Sequence, residues 1–175
     1  MKLHIGGKKA HPDWKIVDIE QRPEVDFVGD AQDLSQFADN SIEQIYASHI
    51  LEHFHYGFND EVIITLKEWH RVLQPGGQVL ISVPNIHTLC WLYVSPNMGP
   101  NDRYHLMRMM FGGHTNQFDI HRVGFDPEIL ASYLQGAGFE DCMDVGQFDL
   151  FEDCSQIMFQ GVLISLNMVA TKPEV

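Results

Sequence analysis

The chain has 175 residues, 45% of them hydrophobic, enough for one domain that buries roughly 70% of its unfolded surface and too few for a second. Eleven Lys and Arg against 24 Asp and Glu leave a formal net charge of −13, which repels phosphate backbones and argues against a nucleic-acid partner. Three scattered cysteines without a Cys-x-x-Cys pair argue against a disulfide framework and a thiolate zinc site and fit a reducing cytoplasm, and no run is apolar and long enough to suggest export or membrane insertion.

Short apolar runs alternate with helical stretches, the pattern of an α/β chain. Strands are expected at Lys2 to Ile5, Lys15 to Ile19, Asp26 to Val28 and Gln44 to Ala47, each bounded by Gly, Pro, Asp or Asn. Asp18 follows Gly6 by only 12 residues, too few for a Gly loop, a helix and a strand, which together place such an acid about 20 residues on. His11-Pro12-Asp13 reads as a turn and Gln21 to Val25 is too short for a helix, so the first two crossovers are expected as loops. From Asn59 to Leu73, Val62, Leu66, Trp69 and Leu73 recur at helical spacing, with Asn59 as the expected cap. Pro75, Gly76 and Gly77 stop that helix and feed a buried strand, Gln78 to Val83. Asn85 to Val123 is long for a connection and reads as one or two short helices plus loop. Asp126, Pro127 and Glu128 open a second amphipathic helix ending at Gly138, and the closing strands are expected near Asp141 to Val145 and Val162 to Ala170.

Four features occur in a fixed order: Leu-His-Ile-Gly-Gly at 3 to 7, Ile-Val-Asp-Ile at 16 to 19, Val-Gly-Asp-Ala at 28 to 31, and Ile-Tyr-Ala-Ser-His-Ile-Leu-Glu-His at 45 to 53. The last is followed by Arg-Val-Leu-Gln-Pro-Gly-Gly at 71 to 77 and Ile-Ser-Val-Pro at 81 to 84. In these motifs the chain resembles the class I S-adenosylmethionine (SAM) dependent methyltransferases over nearly its whole length. The resemblance implies a Rossmann-like α/β sandwich with a mostly parallel seven-stranded sheet in the order 3-2-1-4-5-7-6, the last strand antiparallel. It also implies SAM as cofactor and S-adenosylhomocysteine as product. Gly6 and Gly7 then let the backbone approach the cofactor, and Asp18 accepts the ribose hydroxyls. By the same resemblance Ile19 packs on the adenine, Asp30 takes its amino group, Ala31 offers a backbone N–H, and Ser48 and His49 lie near the reacting end. The missing third glycine and short crossover weaken the helix N-terminus that would face the methionine carboxylate, for which Lys8 and Lys9 are the substitutes.

His49 is the expected general base, since imidazole accepts protons near neutral pH. His49 to His53 also matches H-x-x-E-H, the inverted zinc-protease motif. The preceding strand and the Pro-Gly-Gly junction favour methyl transfer, and no spacing among the other histidines supports three ligands, so no metal is assigned. Residues 61–125 hold five basic and four acidic residues, unlike the acidic segments on either side. That contrast makes residues 85–123, within one domain spanning 1–175, a candidate substrate cap, with His53, Arg103, Tyr104 and His114 as acceptor contacts and Arg108 and Arg122 beside them. The methyltransferase resemblance leads to a small-molecule or sugar acceptor methylated on oxygen or nitrogen, and the charge of the cap favours an anionic one. The alternative is a binding or scaffold protein that kept the fold and lost turnover. With two crossover helices gone, the face near Leu3, Ile5, Ile16, Ile19 and Phe27 needs other cover, from a second copy in a homodimer or from residues 85–123.

Overall fold

A computed structural model of the chain describes residues 1–174. Its strands are β1 (Lys2–Ile5), β2 (Trp14–Asp18), β3 (Phe27–Val28), β4 (Ile42–Ser48), β5 (Leu73–Pro84), β6 (Glu140–Val145), β7 (Met158–Phe159), β8 (Val162–Leu163) and β9 (Ser165–Thr171). Its α-helices are α1 (Glu61–Val72), α2 (Ile86–Val94), α3 (Pro100–Phe111) and α4 (Pro127–Gly136). β7 and β8 make a small hairpin, and the other strands form one sheet in the order β3-β2-β1-β4-β5-β9-β6. β9 runs antiparallel to both neighbours and the remaining pairs are parallel, which is the expected order with β9 as its seventh strand. Among the described residues, no helix is long and apolar enough to cross a membrane.

α1 buries Val62, Leu66, Trp69 and Val72, the stripe expected from their spacing. Its start differs from expectation. Asn59 and Asp60 both have left-handed backbones (φ 62° and 51°) and neither caps the helix; Glu61 in the first turn accepts the His55 N–H at 2.8 Å instead. The strand after α1 begins at Leu73, earlier than Gln78, because Pro75 and a left-handed Gly76 (φ 73°) form a bulge that shifts register between Ile42 and Gln44.

On one sheet face, Leu3, Ile5, Val17, Ile45, Ala47, Val79, Ile81 and Val83 meet α1 and α4 in the main core. Neither the first nor the second crossover holds a helix, as expected, and the third, residues 29–41, lacks one too. α1 substitutes for that third helix by pinning the loop. Trp69 Nε1 donates to the Ala31 carbonyl (2.8 Å), Glu68 accepts the Leu34 N–H (2.9 Å), and Arg71 donates to the carbonyls of Leu34 and Phe37, both 3.2 Å. Leu34 and Phe37 are thereby buried against the sheet.

The other face carries Trp14, Ile16, Tyr46 and Leu80, and its cover comes from the same chain, though not from residues 85–123. Residues 146–156, between β6 and the hairpin, lay Phe148 and Phe151 across it. Phe151 lies 4.2 Å from the His4 ring, 4.8 Å from Tyr46 and 5.6 Å from Trp14, centroid to centroid, and the Tyr46 hydroxyl donates to Asp153 at 2.9 Å. Leu3, Ile5 and Ile16 are fully covered and Phe27 packs edge-on against Phe37, while Ile19 stays half exposed. The argument for a homodimer therefore loses its premise.

Burial lowers the His4 imidazole to about 4, with His11 adding to the fall and Asp153 opposing it. In the unfolded chain the ring titrates near its ordinary value of about 6.5, so on acidification the unfolded state takes up a proton that the folded state refuses. Stability is level above about 6.5 and falls as pH drops toward 4, by at most ~3 kcal/mol from this residue. His4→Phe, which keeps the aromatic packing, should lose less urea-unfolding free energy across that window than the wild type. Equal losses would assign the acid sensitivity to other buried histidines.

Residues 85–123 contain two helices. Asn85 caps α2 through the Thr88 N–H (3.2 Å), and α2 and α3 bury Leu89, Leu92, Met98 and Leu106 with Ile164 in a second, smaller core to which Met109 and Met110 contribute. Only the return segment, residues 115–122, reaches back to the carboxyl ends of β1 to β4.

Candidate functional site

A groove of about 840 Å³ opens at those strand ends. Gly6, Asp18, Ile19, Asp30, Ala31, His49 and His53 line it, so seven residues expected at the site from four separate segments come together there. Gly6 has φ 72°, and a Cβ there would stand 2.3 Å from Ile50 Cδ1, so only glycine makes the turn out of β1. Gly7 is buried outside the groove, where a Cβ would meet the His4 ring at 2.8 Å; its role is packing.

The short β1–β2 and β2–β3 connections are tied by Arg22. Its guanidinium donates to the Gly7 carbonyl (2.8 Å), Asp18 (2.9 Å), Glu24 (2.8 Å) and Glu20 (3.3 Å). Asp18 Oδ1 accepts the Glu20 N–H at 2.8 Å while Oδ2 takes Arg22. An ionised carboxylate has about four acceptor positions, so each Asp18 oxygen keeps one for a ligand hydroxyl. Nothing in the local pattern announced Arg22; only its placement four residues after a strand-end acid could have drawn notice.

At the other end stands a wall of buried titratable groups. After β4 the backbone turns through His49 (φ 55°), whose N–H donates to the Ser82 carbonyl. His49 Nε2 lies 3.0 Å from Ser165 Oγ, and that hydroxyl donates its own proton to the Cys154 carbonyl at 2.7 Å. Nε2 must therefore carry the ring proton and Nδ1 the lone pair, which faces Glu52 Oε1 at 3.3 Å. Burial lowers the His49 imidazole to about 4 and pushes the Glu52 carboxyl up to about 8.

Glu52 and His53 sit on a short 3₁₀ turn, Leu51–His53. The return segment clamps that turn: the N–H of Arg122 donates to the Glu52 carbonyl at 2.7 Å and its guanidinium to the His53 carbonyl. The clamp brings His121 beside His53, ring centroids 5.0 Å apart. Sequence spacing contained two of these three residues in H-x-x-E-H but gave no sign of His121.

The other expected acceptor contacts are elsewhere. Arg103 lies on α3 and donates to the Met98 carbonyl, Tyr104 points into solvent, and His114 pairs with the Phe111 carbonyl at 3.0 Å; none lines the groove. Nor does Ser48, whose hydroxyl is buried without a partner among the described residues. Charge patterning located the less acidic segment but not its facing side, since α3 packs on α2 and away from the strand ends. Thr115 to Asp119 and Arg122 take those places.

Residues 10–81 match a family described as a methyltransferase domain. No curated protein matches the chain in sequence. Among solved structures it is similar to a SAM-dependent methyltransferase from Thermotoga maritima, with TM-score 0.61 at 18% identity over 98% of this chain and 81% of that one. It is also similar to the 1,6-didemethyltoxoflavin-N1-methyltransferase of Burkholderia thailandensis, solved with 1,6-didemethyltoxoflavin and S-adenosylhomocysteine (0.60, 19% identity, 98% and 71% covered). A third is a SAM-dependent methyltransferase from Archaeoglobus fulgidus (0.59, 16% identity, 98% and 85% covered).

Proposed function

We propose that the chain is a class I SAM-dependent methyltransferase and that it methylates an oxygen or nitrogen of a small-molecule or sugar acceptor. The observation that carries this reading is one continuous groove joining the strand-end acids Asp18 and Asp30 to the His49–His53 wall. The residues present fit SAM. Gly6 leaves room for close backbone approach, and Asp18 keeps one free acceptor position on each oxygen for the ribose hydroxyls. Asp30 uses Oδ1 for the Gln32 N–H and keeps Oδ2 for the adenine amino group, and Ile19 offers an exposed apolar side to the ring. Lys8, which lines the groove, supplies positive charge where the first crossover helix is missing.

SAM supplies a methyl group already activated on its sulfonium, so the protein contributes mainly placement and exclusion of water. His49 is a positioning residue in this reading rather than the base: one ring nitrogen is bound to Ser165 and the other is turned to the buried Glu52. An anionic acceptor is also no longer favoured. Of the three arginines in residues 85–123 only Arg122 lines the groove, and Asp119 and Glu61 line it too.

Calorimetric titration with SAM and with S-adenosylhomocysteine tests the reading. One saturable site per chain for each is expected, followed by S-adenosylhomocysteine release with a member of a panel of sugars, phenols and amines. A chain that binds neither ligand is a scaffold and not a methyltransferase.

A further inference from the structure

We propose that Glu52, His53 and His121 form a binding site for a divalent transition-metal ion of the zinc class at the acceptor end of the groove. One oxygen or nitrogen from each lies within 4.8 Å of the others, a grouping of three ligating residues that no other part of the described chain assembles. Three ligands of a tetrahedral zinc stand ~3.4 Å apart at bond lengths of ~2.1 Å, so side-chain rotation of about 1 Å closes the set.

The donors are arranged as lone pairs turned inward. Glu52 is 1% exposed and both its carboxylate oxygens lack a hydrogen-bond partner among the described residues. A carboxylate so placed is costly to bury unless a cation or a proton joins it. His53 Nδ1 lies 3.1 Å from the Ile120 carbonyl; donation there leaves Nε2 with its lone pair free. His121 Nδ1 is buried and unpartnered among the described residues, and the His121 backbone N–H donates to the Phe111 carbonyl at 3.0 Å. His53 is thus oriented by a backbone oxygen through one edge and open at the other, the outer-shell pattern of metal-binding imidazoles, while His121 presents an unpartnered Nδ1. His49 adds a fourth inward lone pair, its Nδ1, 3.3 Å from Glu52 Oε1. A cation between these groups, or a proton on Glu52, satisfies the cluster.

The ligand types select the metal. Imidazole nitrogens with a single carboxylate suit zinc, cobalt or iron, whereas magnesium and calcium favour all-oxygen sets. The backbone clamp from Arg122 to Glu52 fixes the two chain segments against each other, so the site is held by the fold rather than by a mobile loop. His49 and His53 line the groove, so an ion held here would border the space where an acceptor oxygen or nitrogen would enter and could orient it. That role, though not the metal site itself, rests on the methyl-transfer reading.

The test is to strip the purified chain with a chelator and titrate it with Zn²⁺ by calorimetry and with Co²⁺ by visible absorption. One site per chain is expected, with tetrahedral-type Co²⁺ bands. Glu52→Gln and His121→Gln should each weaken Zn²⁺ binding more than tenfold and abolish those bands, and His105→Gln, an exposed control on α3, should match the wild type. If His121→Gln fails to fold, the near-isosteric Glu52→Gln decides alone. Absent or substoichiometric Zn²⁺ binding, or equal affinity in Glu52→Gln and the wild type, overturns the site. SAM titration of the same stripped protein separates the two readings: SAM binding without Zn²⁺ binding sinks the metal alone, and Zn²⁺ binding without SAM binding upholds the metal and sinks methyl transfer.

Discussion

Asp18→Asn is expected to weaken SAM binding by more than tenfold while the chain stays folded. The amide keeps the shape of the carboxylate and an oxygen for the Glu20 N–H, but its nitrogen no longer accepts, and the remaining oxygen is neutral. Hydrogen bonds to a charged acceptor are worth about 1.5–3 kcal/mol each, so losing the charge beneath two hydroxyls exceeds a factor of ten. The fold survives because Arg22 keeps Glu24, Glu20 and the Gly7 carbonyl as partners. Calorimetric titration gives the affinity and thermal melting the integrity. Unchanged affinity would move ribose recognition to Glu20, which also lines the groove.

The largest loss of stability is expected at Trp69, the biggest fully buried side chain. Trp69→Ala should cost about 3–5 kcal/mol in urea unfolding, the range for large aromatic to alanine changes in a core. Trp69→Phe separates packing from hydrogen bonding. It keeps most of the buried ring and removes the donor to the Ala31 carbonyl, at a cost of about 1 kcal/mol plus the desolvation of an unpaired carbonyl. Because that bond anchors the loop carrying Asp30 and Ala31, Trp69→Phe should also lower SAM affinity although it touches no ligand. Unchanged affinity in this variant would show that Glu68 and Arg71 hold the loop by themselves.

Much of the scaffold was legible before any coordinates, for local reasons. The stripe Val62, Leu66, Trp69 and the stop at Pro75 specify α1 and the strand after it through periodicity and backbone geometry that neighbouring residues decide. The 12 residues from Gly6 to Asp18 excluded a crossover helix by simple reach. Asp18, Asp30 and Gly6 were legible as groove residues because parallel strands in this order bring their carboxyl ends together, whatever covers the faces.

What the sequence determined by itself was the set of elements, their order in the sheet and the strand-end acids of the groove. Each depends on residues close in the chain, on length, or on a recurring motif order. What only the tertiary structure decided were the long-range meetings: Phe148 and Phe151 closing the face that lacked helices, and Trp69 and Arg71 replacing a third crossover helix. The joining of His121 to Glu52 and His53, and the facing of α3 with Arg103 and Tyr104 away from the groove, belong with them. The Arg122 to His53 contact that builds the histidine wall spans 69 residues. No local propensity encodes such a contact, because it is set by which face of the folded sheet offers apolar surface to a returning segment and by the backbone donors and acceptors left unpaired there.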